Sequence, residues 1–472
     1  MHHFRLASFL LAGTVALSAC ADDVTAPAAT HAPADAVFSA GSPEAGRHLF
    51  VFTTRSIPAD FGARVAAAGG TIEKAFAQLG IAATQGLSPE AAESLGAAAD
   101  VAHWNPEIQV VLDAPVGEMI LDAIEDEVLS EPASPGNPTT ASFYPRQWHL
   151  RQIGADRAWA AGRLGSRKVK VGILDTGIDY RHADLAGLVD LSLSKSFIPS
   201  ENAVVQQLFP GAHEVADLHY HGTHVAATVA SNAVAAAGVT SNVTLVGLKV
   251  LNRNGSGSTF GTLNAIEYAA DVGLDVINMS LGIPVALPRR DNAAFNEMIN
   301  RVMTYAHSRG VTVIVAAGNE NMDLDKLGNA IKVYCTASTV ACISATGPTS
   351  RTAVNGPWQN IDAKASYSNY GRAYVHVAAP GGNGSSSVTA ACSGFSLNVP
   401  VCRTGTFVVG LNGTSMASPH AAGLAALMVE RYGRKPSEVK EALAKFSDDL
   451  GPLGNDPVYG KGRINVAKAL GL

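Results

Sequence analysis

The chain has 472 residues, 47% of them apolar and 16% charged, so it exceeds one average domain and can bury a large core. Lys and Arg number 34 against 40 Asp and Glu, a formal net charge of -6, and no basic block interrupts it. That balance lacks the electrostatic footprint of a nucleic-acid binder and argues against polyanion partners.

In chain order, a weakly basic start with Arg5 leads into LASFLLAGTVALSA, an apolar run too short to span a membrane. Residues 1–20 therefore read as a secretion signal and the protein as exported. The run ends in LSAC, Leu17 to Cys20, which resembles the box at which bacterial lipoproteins are cut and lipid-modified on the cysteine. On that reading Cys20 carries a membrane anchor, and the protein is a cell-envelope lipoprotein or extracellular after processing. An ordinary signal cleavage with a stray cysteine is the alternative. Residues 21–45, rich in Ala, Pro, Thr and Asp, read as a flexible tether.

The other cysteines form an even set in two local clusters. Short loops favour Cys335 with Cys342 and Cys392 with Cys402, and two reduced, buried pairs are the alternative. No C-x-x-C or Cys/His spacing suggests zinc.

A small unit spans residues 46–113. HLFVF reads as a strand, FGARVAAAGGTIEKAF carries a helical stripe up to a glycine break, and LGIAAT is a short apolar segment. A helix then starts at SPEAAESL, with Ser88 as N-cap and Pro89 in the first helical position, before a closing strand, IQVVLD. The succession is close to a split βαβ unit, an α+β ferredoxin-like domain. Residues 114–143, acidic and then rich in Pro, Gly and Thr, read as a linker.

Residues 144–472 form the second unit. VKVGILD, VTLVGLKVL, LDVINMSL, VTVIVAAGN and AYVHVAAPG alternate with helical stretches, the pattern of an α/β three-layer sandwich whose mainly parallel sheet is buried on both faces. Ligands in such sheets sit beyond the carboxyl ends of the strands, where Asp175, Ser280 and Asn319 fall.

Near the end comes NGTSMASPHAAG, residues 412 to 423. Ser415 opens a long apolar helix, where unpaired N–H groups and the dipole would stabilise an oxyanion. Its hydroxyl needs a base, itself oriented. His420 lies about a turn into the same helix and cannot readily reach back. His221 in HYHGTHVAATVA can serve, with Asp175 in ILDTGID fixing its tautomer. DTGID, HGTHVA, AAGN and GTSMASPHAAG, in that order, resemble the subtilisin-like serine peptidase family, and the likeness runs over residues 145–468.

The resemblance implies a serine endopeptidase: Asp175 as orienting acid, His221 as general base, Ser415 as nucleophile, and the Asn319 side chain with the Ser415 N–H as oxyanion hole. It also makes Gly255, Ser256, Gly257 and Ser280, Leu281, Gly282 the edges of two strands that hold an extended peptide, whose affinity comes from main-chain hydrogen bonds. Pro419 and His420 are structural by the same likeness. The first specificity pocket would lie past Asn319, where the chain inserts NMDLDKLGNAIKVYCTASTVAC, and its floor has no assignment. No cofactor is required for the chemistry. Asp184 matches a position that ligates structural calcium in some relatives, although the companion loop SNAVAAAGVTSN is shortened and poor in oxygen ligands. Residues 46–113 resemble the family's propeptide, an intramolecular inhibitor whose tail would lie in the cleft until a cut between Asp113 and Gln147; a permanent binding module is the alternative. Protein or peptide substrates follow, and a base that must be neutral implies activity rising through about pH 6 to 7.

Two rivals come from other classes. His219, His221 and His224, with Asp217 nearby, read H-x-H-x-x-H and would suit a metallohydrolase, although such a box needs Asp where Thr223 stands. A non-catalytic binding protein keeping the fold would not need four competent residues at the catalytic positions.

Overall fold

The computed structural model describes residues 45–123, 134–283, 286–288, 292–384 and 386–472. The secretion signal, Cys20 and nearly all of the tether lie outside the described residues. Among the described residues, no helix is long and apolar enough to cross a membrane.

The small unit begins with β1 (His48–Phe52), α1 (Phe61–Ala67), β2 (Thr71–Phe76), β3 (Ile81–Gln85), α2 (Pro89–Gly96) and β4 (Val101–Pro106). Its sheet is antiparallel in the order β2-β3-β1-β4. Every residue of β1 is buried, because its two faces meet different partners. Phe50 and Phe52 pack with Phe61 and Val65 of α1, while Leu49 and Val51 join residues of the larger unit, as the period of two in a strand dictates. Arg301 donates to the carbonyls of Phe52 (2.9 Å), Leu79 (3.0 Å) and Gly80 (3.3 Å), and Lys74 pairs with Glu267 at 2.6 Å.

Two elements differ from the sequence reading. FGARVAAAGGTIEKAF divides at Gly69 and Gly70 into α1 and β2: Gly69 takes φ +87°, and TIEKAF continues with the alternating exposure of a half-covered strand. IQVVLD does not close the small sheet, a place taken by β4. Its core, β5 (Gln109–Leu112), leaves the small unit altogether, and β6 (Ile120–Ala123) follows.

The larger unit is built on β7 (Lys170–Asp175), β8 (Lys195–Ser196), α3 (His221–Val229), β9 (Thr244–Lys249), β10 (Ser256–Ser258), α4 (Thr259–Asp271), β11 (Val276–Met279) and β12 (Leu281–Gly282). It continues through α5 (Ala293–Ser308), β13 (Thr312–Ala316), β14 (Ala341–Thr346), β15 (Val375–Pro380), β16 (Val388–Ala391), β17 (Phe407–Leu411) and α6 (Thr414–Tyr432). Seven strands form one parallel sheet, ordered β15-β14-β13-β11-β7-β9-β8. Val171 and Ile173 face α3 and α6 on one side, and Leu174 faces α4 and α5 on the other, giving the three layers expected. The sequence reading missed β14, whose ACISAT is short and weakly apolar, and the two-residue β8.

Helix α6 is buried on all sides from Thr414 to Val429, as suits an element apolar all round. Pro419 inside it cannot donate to the carbonyl of Ser415 four residues back. The Ser280 hydroxyl does so instead, at 2.9 Å. Cys335 is bonded to Cys342 and Cys392 to Cys402, so the four cysteines are not reduced pairs.

Candidate active site

Asp175 is the last residue of β7, and His221 opens α3. Asp175 Oδ1 lies 2.8 Å from His221 Nδ1, with both side chains fully buried. The same oxygen accepts the Thr176 N–H at 2.8 Å, while Asp175 Oδ2 and His221 Nε2 are buried without a hydrogen-bond partner. The approach to α3 is organised by Asp217, which the sequence reading considered only as a neighbour of a metal box. Its carboxylate accepts the N–H groups of His219 (3.0 Å), Tyr220 (3.2 Å) and Thr223 (2.9 Å) and the hydroxyls of Thr176 (2.8 Å) and Thr223 (2.7 Å). No single-sequence signal separates that role from an ordinary turn aspartate.

The three imidazoles of H-x-H-x-x-H diverge. His219 stacks on Tyr220 with ring centroids 4.3 Å apart, and His224 Nε2 meets the Val388 carbonyl at 3.1 Å. Burial lowers their pKa values to about 4 and about 3. Among the described residues, no group of three or more His, Cys, Asp or Glu could hold a metal ion.

Ser415 is the second residue of α6, so its N–H belongs to the first turn, where no intrahelical acceptor exists. Its Oγ lies 3.2 Å from the Asp113 carbonyl oxygen and 3.3 Å from that of Ser280. The hydroxyl has one proton and directs it at a carbonyl; among the described residues, no hydrogen bond joins it to His221 as a relay requires. Such bonds often form only as the reaction proceeds. Ser418 is turned away, its hydroxyl 2.9 Å from that of Ser280. His420 bonds the Met416 carbonyl and His149.

Asn319 follows β13. Its Oδ1 accepts the Thr414 N–H and hydroxyl, both at 2.9 Å, which turns Nδ2 toward the Asp113 carbonyl (3.4 Å) and that of Ala114 (3.0 Å). The Asp113 carbonyl therefore lies between the Ser415 hydroxyl and the Asn319 amide.

The chain around that carbonyl is clamped on both sides. Strand β5 pairs antiparallel with β10, Gln109 to Val111 opposite Ser258 to Ser256, and with β12, Leu112 and Val111 opposite Leu281 and Gly282. The Gly255 carbonyl accepts the Leu112 N–H at 2.7 Å. All of Gly255, Ser256, Gly257, Leu281 and Gly282 thus border β5; Ser280 instead tucks its side chain under α6. Beyond Ala114, the Asn412 carbonyl accepts the Val116 N–H at 2.8 Å, and β6 pairs antiparallel with β17.

Asp184 has another set of partners. Its two oxygens accept the N–H groups of Val234 (2.9 Å), Ala235 (2.8 Å) and Ala236 (3.0 Å) in the shortened loop. Donor hydrogens directed at both oxygens repel a cation, so this arrangement does not fit calcium, which needs six to eight oxygens.

Comparison with known proteins gives the same direction. The sequence profile of the subtilase family, Peptidase_S8, matches residues 166–462. The thermophilic serine proteinase of Bacillus sp. (strain AK1) is 31% identical over 363 residues, 75% of this chain and 76% of that protein. Subtilisin DY of Bacillus licheniformis is 34% identical over 320 residues, 67% and 96% of the two chains. In three dimensions the chain is similar to the epidermin leader peptide processing serine protease of Staphylococcus aureus, with a TM-score of 0.67 at 20% identity, covering 90% of this chain and 98% of that one. That coverage exceeds what the larger unit alone could supply.

Proposed function

The chain belongs to the subtilase family of serine endopeptidases, and from that premise we propose that it is an exported zymogen that cuts its own Asp113–Ala114 bond. The observation that carries this reading is the Asp113 carbonyl held between Ser415 Oγ and Asn319 Nδ2, on a strand paired as a substrate would be. A small domain that delivers its own tail to the cleft acts as inhibitor and, once cut, as a detachable one.

In the proposed mechanism His221 Nε2 takes the Ser415 proton as Oγ attacks the Asp113 carbonyl carbon. Asp175 stabilises the imidazolium, and the Asn319 amide with the Ser415 N–H receives the developing oxyanion. His221 then returns the proton to the Ala114 nitrogen, which leaves, and water resolves the acyl-enzyme by the same route. Asn319 is shared in the ground state between the carbonyls of Asp113 and Ala114. It gains most as charge develops on the former, which is how a group accelerates chemistry rather than binding. Asn319→Ala should therefore lower kcat by about 10²- to 10³-fold, some 2.7 to 4 kcal/mol, with KM little changed, as read from steady-state kinetics on a peptide.

The reading is tested by a fluorophosphonate probe, which should label Ser415, and by mass spectrometry of the matured protein, which should give Ala114 as the new N-terminus. A chain inhibited by a chelator but inert to the probe would favour the metallohydrolase. The same spectra would reveal any lipid on Cys20.

Glu107 supplies a further expectation for release of the small domain. Its carboxylate accepts the Phe260 N–H at 3.1 Å and pairs with Arg47 at 3.1 Å. Burial pushes the Glu107 pKa up to about 7, against the opposing pull of Arg47. A carboxyl raised on docking favours the docked state below its ordinary value of 4.5, and that advantage is lost as the pH climbs toward 7. Inhibition by the cleaved small domain should weaken over that window, and Glu107→Gln should flatten the dependence.

A further inference from the structure

The side chain that precedes the candidate scissile bond enters a pocket whose chemistry is specific. Asp113 is 5% exposed, and its carboxylate lies over the backbone of Gly282, where a Cβ would meet Oδ1 at 3.3 Å. Its Oδ2 is buried and has no hydrogen-bond partner. The titratable groups that act on it are Lys332, Glu320 and His221. Burial pushes its pKa up to about 6, while Lys332 pulls it down.

Lys332, 3% exposed, comes from the segment inserted after Asn319 and ends at Ile283, the residue after Gly282, without pairing directly with Asp113. Its ammonium donates to the Ile283 carbonyl at 2.9 Å and to Glu320 Oε1 at 2.8 Å, so among the described residues two of its three protons are engaged. Glu320 is held in turn by Asn369, 2.5 Å from Oε2. Gly318 leaves room for both side chains, since a Cβ there would fall 2.7 Å from Glu320 Oε2 and 3.0 Å from Lys332 Cε.

A buried ammonium with an unused proton makes an apolar occupant costly, because that donor would stay desolvated and unpaired. A basic occupant would set a second cation beside Lys332, with Glu320 already engaged by Lys332 and Asn369. An acidic side chain offers an acceptor for that proton, and Lys332 offsets part of what burial and Glu320 cost its charge. We propose that this pocket directs the peptidase to bonds that follow an acidic residue, with Lys332, oriented by Glu320, as the specificity-determining residue.

The inference rests on the proposed cut after Asp113, and the test keeps the two apart. The full-length chain is allowed to mature, titrated with a fluorophosphonate, and assayed on internally quenched peptides identical except for Asp, Asn, Leu or Lys before the scissile bond. The expected result is a kcat/KM for Asp at least tenfold above Leu and Lys, with Asn between. Lys332→Met should bring the Asp to Leu ratio below one, and Asp113→Leu should slow maturation of the wild-type pocket by a similar factor. Equal or faster cleavage after Leu or Lys, by an enzyme that titrates fully, would overturn the acid preference while leaving the peptidase intact. Failure to titrate or to cut any peptide would overturn the peptidase reading and the preference with it. Should Lys332→Met not fold, the wild-type ratios decide alone.

Discussion

Ser415→Ala is expected to leave the chain in one piece, with Asp113–Ala114 intact and peptide hydrolysis lowered by at least ~10⁴-fold. Among the described residues, the Ser415 hydroxyl, 3.2 Å from the Asp113 carbonyl oxygen, is the group placed to become a nucleophile; without it the amide of Asn319 can polarise that carbonyl but nothing attacks. Alanine is the strongest helix former, and position 415 lies in the first turn of a fully buried helix, so the fold should survive. Intact mass would show a single chain, and the melting temperature should not fall. Indeed the uncut variant should melt higher than the matured enzyme, because it keeps the small domain tethered. Cleavage after Asp113 at a rate independent of protein concentration in this variant would refute the assignment of Ser415.

The segments that meet at the candidate site were legible because each couples a strand end or helix start to residue types that have few other reasons to occur in that order. DTGID ends a continuous apolar run, HGTHVA opens a helix of small residues, and GTSMASPHAAG opens one apolar on every side. Their convergence needs only that the strands be parallel, which near-continuous burial implies. What sequence could not supply was the second partner of each group. IQVVLD has the alternation of a sheet strand, and nothing local distinguishes pairing with β4's neighbours from pairing across a cleft with β10 and β12. Asp217 and Lys332 act through contacts 41 and 12 residues away, to Thr176 and Glu320, which no periodicity encodes. Asp184 was legible as a carboxylate of consequence, but three amide donors, a property of the loop's path rather than of its residues, give it a different role. HLFVF was legible only as a strand; that β1 is covered on both faces is seen in the structure alone.

Asp175→Asn should be the second most damaging change, and the reason differs from a simple reversal of the imidazole. Asp175 Oδ1 accepts two donors, His221 Nδ1–H and the Thr176 N–H, each at 2.8 Å. An asparagine would keep its carbonyl oxygen at that position, since its NH₂ would there face the Thr176 N–H, and would point the NH₂ to the site of Oδ2. The proton would then stay on His221 Nδ1, leaving Nε2 free to act as base. What is lost is the negative charge that accompanies imidazolium formation. At an effective dielectric of about 20 and a charge separation of about 4 Å this interaction is worth roughly 4 kcal/mol, so kcat should fall by about 10³-fold with KM nearly unchanged. The new NH₂ would also sit buried where Oδ2 already lacks a partner, at a cost in stability of about 1 to 3 kcal/mol. Nitrogen NMR of the variant should still report the Nδ1–H tautomer. A spectrum with the proton on Nε2, together with a loss nearer 10⁴-fold, would mean that Thr176 does not set the orientation of residue 175.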